Sequence, residues 1–149
     1  MDELDPGGLE AILLLCDAAQ VSNGKLFILG GGVALIGPRP QGLAVALRIL
    51  VPWDRANVGH EWRVDLVDED GAPVEIQEKS VVIKGQFEAG RPAGLRPGTP
   101  LPVALAINIS PLPLPPGRSY EYRLSIDGET QPTWRVPFTV RAPKPAQTK

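Results

Sequence analysis

A chain of 149 residues accommodates one domain with a full hydrophobic core, and 43% hydrophobic against 21% charged residues argues against a disordered polymer. A net charge of −2 leaves no electrostatic footprint for nucleic acid, and no apolar run reaches transmembrane length, so neither DNA, RNA nor a membrane is expected as a partner. Sixteen glycines and seventeen prolines point to short strands and tight turns rather than long helices.

Residues 1–8 read as a flexible tail. Residues 9–21 are apolar on both faces, a composition that also suits a short helix. The Asn23-Gly24 pair that follows favours a strand, because it tolerates the positive φ angles of a type I′ turn and has apolar runs on both sides. Within the second arm, residues 26–36, stand three consecutive glycines, Gly30, Gly31 and Gly32. A dinucleotide-binding turn needs G-x-G-x-x-G between a strand and a helix, and a P-loop needs Lys-Ser or Lys-Thr after its last glycine. Here Val33-Ala34-Leu35-Ile36 continues as a strand. The glycines therefore predict a bend or bulge that lets one strand contribute to both sheets.

Leu13-Leu14-Leu15-Cys16 has the outline of a lipoprotein cleavage site, but the residues before it are acidic where an export signal is basic. The lone Cys16 is expected to be a packed thiol in a cytoplasmic protein. Residues 43–51 form a strand with large residues on one face and small ones on the other, ended by Pro52. A polar loop, residues 53–59, then leads to an alternating strand at residues 61–67. The turn Asp68-Glu69-Asp70-Gly71 invites a calcium reading, but an EF-hand beginning at Asp68 would need glycine and glutamate where Pro73 and Lys79 stand. Residues 74–76 and 80–87 supply one or two further strands, and residues 89–100 form a long connection.

Another strand covers residues 101–109; its sequon Asn108-Ile109-Ser110 is coincidental in a cytoplasmic protein. Pro113, Pro116 and Arg118 match a PxxPxR peptide, but inside a folded domain residues 110–117 read as a stiff connection. Residues 119–127 alternate, with Tyr120, Tyr122, Leu124 and Ile126 on one face, and Asp127-Gly128 is a second hairpin signal. The last strand places Trp134, Val136, Phe138 and Val140 on one face. Pro137 opposes them and marks an edge or a bulge. Residues 141–149 read as a disordered tail. Eight or nine short strands over residues 9–140 predict a single all-β antiparallel sandwich, with a closed barrel as the alternative.

Residues 12–36, ILLLCDAAQVSNGKLFILGGGVALI, resemble the opening of an uncharacterised bacterial family of small β-sandwich proteins. HEWRVDLVDEDG, PPGRSYEYRLSIDGE and the closing PFTV are similar to immunoglobulin-like strands. The resemblance implies an immunoglobulin-like sandwich, most often a standalone domain, and carries over no catalytic residue.

No pair of residues shows nucleophile–base or metal-ligand logic: there is no G-x-S-x-G elbow, and His60 and Cys16 stand far apart. No catalytic residue, cofactor or metal site is expected, and the chain does not read as an enzyme. The expected function is a non-catalytic module acting through protein–protein contact or self-association, since residues 9–21 and 43–51 carry apolar or small residues on both faces. The alternative is a small-ligand or carbohydrate-binding sandwich using the loop that gathers Trp53, Asp54, Arg55, Asn57 and His60.

Overall fold

The computed structural model describes residues 8–145; residues 1–7 and 146–149 of the two expected tails lie outside that range. Eleven strands follow in order: β1 Glu10–Ser22, β2 Lys25–Gly31, β3 Leu35–Ile36, β4 Leu43–Val51, β5 His60–Asp68, β6 Glu75–Ile76, β7 Lys79–Ser80, β8 Val82–Phe87, β9 Leu101–Ile109, β10 Arg118–Ile126 and β11 Arg135–Val140. Nine of them build two sheets, ordered β2-β1-β4-β9 and β3-β11-β10-β5-β8, while β6 and β7 form a separate small hairpin. Leu15, Leu47 and Ile49 from the first sheet share one core with Leu66, Tyr122, Leu124 and Phe138 from the second. The predicted sandwich is therefore the observed architecture.

Asn23 (φ 51°) and Gly24 (φ 71°) both take positive φ between the paired Ser22 and Lys25, the type I′ geometry expected of that dipeptide. The second arm is not one strand. Gly30 and Gly32 adopt φ of 63° and 88°, and the amides of Gly32 and Val33 both donate to the Leu15 carbonyl, at 2.8 and 2.9 Å. Beyond that point the chain leaves the first sheet, and β3 joins the second, parallel to β11 through Leu35–Thr139 and Ile36–Val140. The glycines bend the arm and pass it from one sheet to the other, as their sequence context predicts.

The same bend curls the first sheet. In a flat sheet β2 would lie about 14 Å from β9, three strand spacings away, yet the two touch. Ala19 and Leu26 of the hairpin pack with Cys16, Ala44, Ala46 and Ala106 in a second small core outside the sandwich. The Asn108 side-chain amide donates to the Ala19 carbonyl at 3.1 Å and ties the hairpin across the sheet. Cys16 and Ala19, three residues apart, serve this one cluster, so strict alternation slips between them. The slip falls at Asp17 and Gly30, a pair missing from the ladder between Cys16–Gly31 and Ala18–Leu29.

At the other end, Asp127 (φ 52°) and Gly128 (φ 81°) make the second expected tight turn. The Tyr120 hydroxyl donates to the Pro115 carbonyl at 2.7 Å and pins the proline-rich crossing, whose Leu114 is buried. This segment is a connection, not a free peptide. Pro137 pairs with Glu121, and β3 reaches only Thr139 and Val140 on the other side of β11, so the missing amide falls on open edge.

The bend yields a stability prediction. Gly32→Ala meets no steric neighbour but must hold φ near 88°, which costs about 1–2 kcal/mol for a residue with a Cβ. Gly37→Ala, equally open and without positive φ, should leave stability unchanged or raise it by about 0.5 kcal/mol. Urea denaturation of both variants checks the contrast.

Candidate functional site

Pro52 ends β4, and Trp53–Arg55 form a single 3-10 turn. Trp53 is half-buried against the core, and the Arg91 guanidinium lies 4.5 Å from its ring centroid. Arg91 also donates twice to the Trp53 carbonyl, at 2.7 and 3.1 Å. One ring face is thus taken by a cation. Trp53 and Asp54 line a shallow cleft with Glu10, Leu50, Pro52 and Pro100. Asn57, with φ 60°, donates its backbone amide to Ala89 and shapes the loop.

His60 does not belong to this loop. It opens β5, is 2% exposed, and stacks on Phe87 with ring centroids 5.1 Å apart. Its Nδ1 is 2.7 Å from Asp127 Oδ2, while Nε2 is buried with no hydrogen-bond partner among the described residues. The other Asp127 oxygen accepts the Glu61 amide at 2.9 Å. This pair joins the start of β5 to the tight turn after β10. The expected constellation therefore divides: Trp53, Asp54, Arg55 and Asn57 stay together, and His60 turns inward.

Two other sequence features resolve locally. Asp68 Oδ1 accepts the amides of Asp70 and Ala72, both at 2.9 Å, so the acidic turn uses that carboxylate oxygen for its own backbone. Cys16 is fully buried and sits 3.3 Å from the Ala44 carbonyl. Burial, and secondarily the Asp17 carboxylate, push its thiol pKa up, away from reactivity. No helix among the described residues is long and apolar enough to cross a membrane.

The most unusual surface lies on the β1–β2 hairpin. Phe27, Ile12 and Leu29 are 56%, 63% and 70% exposed, and Ile28, Val21 and Leu14 are partly exposed. Leu14 Cδ2 and Ile28 Cγ2 converge over Gly31, 2.8 and 3.1 Å from where a Cβ would stand, so these two meet across the strands, while Phe27 and Leu29, out of phase with Ile28, stand on the hairpin's other face. Six large apolar side chains thus stand exposed on one hairpin, where an ordinary surface scatters them singly. The second face of β4 adds none, because the curled hairpin buries Ala44 and Ala46. Sequence reasoning placed the surplus apolar surface on β1 and β4; the available signal for β2 was Leu26-Phe27-Ile28-Leu29, an apolar run without a polar alternate.

The His60–Asp127 contact carries a pH signature. Burial raises the Asp127 pKa, but the Glu61 amide and His60 outweigh it and hold the carboxyl below its ordinary value. A depressed folded pKa adds stability above the unfolded value of about 3.9 and loses it as pH falls through the folded one. Asp127→Asn, which tolerates the same positive φ, should be less stable than the parent at pH 7. The difference should shrink at pH 3 in urea denaturation.

The chain belongs to a family of unknown function, DUF6941, whose model matches residues 11–141. No curated protein and no solved structure matches it.

Proposed function

We propose that this member of the family is a non-catalytic module of the bacterial cytoplasm that works by protein–protein contact through its β1–β2 hairpin, without nucleic acid, membrane or cofactor. The single observation that carries the reading is the concentration of exposed large apolar side chains, Ile12, Leu14, Phe27, Ile28 and Leu29, on this one hairpin. Leaving them in water is unfavourable by about 25 cal/mol per Å², and apolar side chains exposed together on one element mark an interaction site. An immunoglobulin-like relationship is supported by the strand order, with the short β3 running parallel to the last strand, and by the Tyr120–Pro115 hydrogen bond at the crossing into β10.

The rival reading, a small-ligand or carbohydrate site at Trp53, has weaker support. Arg91 covers one ring face, and His60 lies in the core rather than beside the cleft. A stacking platform needs an open aromatic face.

A photo-crosslinking residue at position 27, compared with one at Glu75, tests the contact reading in extracts of the source cells. Position 27 should give one defined heavier adduct and position 75 none. Equal labelling at both sites, or none at position 27, would remove the hairpin as a contact surface.

A further inference from the structure

We infer that β2 pairs edge to edge with β2 of a second copy, antiparallel about a two-fold axis, joining two four-stranded sheets into one. This rests on the reading of the hairpin as a contact surface and names its occupant.

The backbone provides the first argument. The type I′ turn closes with the Lys25 amide donating to the Ser22 carbonyl, so Ser22 and Lys25 form a hydrogen-bonded pair. Alternation along the ladder then turns the N–H and C=O groups of Leu26 and Ile28 away from β1. β2 ends its sheet, so no strand among the described residues meets those groups. Two other edges are blunted, since β3 is two residues long and β8 carries Lys84 with the Trp62 ring lying over Gly85, whereas β9 is guarded by Pro102 at its start alone. From Leu26 to Gly31, β2 has no charge and no proline.

Charge favours an antiparallel copy over other strands. Lys25 starts β2, and the Asp17 carboxylate lies in the space a Gly30 side chain would fill at its far end. Neither residue makes an ion pair among the described residues. A two-fold antiparallel pairing brings the lysine end of each copy to the aspartate end of the other, whereas a parallel copy would set like against like.

Light scattering on the purified chain, from about 1 to about 100 micromolar, should show a concentration-dependent mass rising to twice 16.0 kDa. Ile28→Pro removes an outward amide without removing a β1–β2 bond, and should be monomeric with an unchanged circular dichroism spectrum. Lys25→Asp and Asp17→Lys should each weaken the dimer about tenfold, and the double variant should recover it to within about threefold. A parent that stays monomeric, or a dimer indifferent to all of these changes, overturns the inference. The position 27 crosslinker in purified protein should yield an adduct of twice the chain mass. An adduct in extract but none in purified protein sinks the self-pairing and leaves the contact surface standing; none in either sinks both.

Discussion

The positive φ angles at Gly30 and Gly32 are the constraint on which the rest of the fold depends. A chain with a Cβ at those positions would favour continuing β2 straight alongside β1. Turning there carries the chain off the first sheet after the Val33 amide and lets β3 lie against β11, where the Ala34 and Ile36 carbonyls accept the Thr139 and Arg141 amides. The sandwich thus has a covalent stitch between its layers within its first 36 residues. The same local distortion, at Asp17 opposite Gly30, lets the hairpin tip roll over the sheet instead of extending into solvent.

That roll explains the composition of the first sheet's outer face. Ala44, Ala46 and Ala106 with Cys16 present a shallow surface on which a second layer can lie close. Leucines there would hold the hairpin away and expose Ala19, and the Asn108–Ala19 hydrogen bond of 3.1 Å would be lost. Tucking one face of the hairpin inward leaves its other face outward. Phe27 and Leu29 are exposed because Leu26 is packed, so the apolar surface is a consequence of how the small core is built.

Much of this was legible in the residues, and the rest was hidden for identifiable reasons. Asn23-Gly24 and Asp127-Gly128 announce their turns because their residue types tolerate the required φ. Gln77 and Glu78 adopt φ of 53° and 65° between Ile76 and Lys79 with neither glycine nor asparagine, so the β6–β7 hairpin gives no such notice. His60 reads as a loop residue because its partner Asp127 is 67 positions away, and its inward orientation follows from a contact that no local pattern encodes. The small residues of β4 do signal a covered face. They cannot identify the cover, since the roll of β1 and β2 depends on an alternation slip confined to one missing pair.

The unblunted edge of β2 follows from the same geometry. A charged side chain in place of Leu26 would enter the small alanine core, so that protective device is closed to this position. Proline at position 27 would remove an amide bonded to β1, given the hydrogen-bonded phase set by the turn. At position 28 neither objection applies with equal force: its amide faces outward and its side chain is 40% exposed. Position 28 nonetheless holds isoleucine, a residue that favours strand pairing. The fold therefore demands an apolar, proline-free strand at some positions, and isoleucine extends that character where the fold alone would tolerate a guard. An apolar residue at position 28 is therefore not required by the fold, and it is the feature the proposed pairing would use.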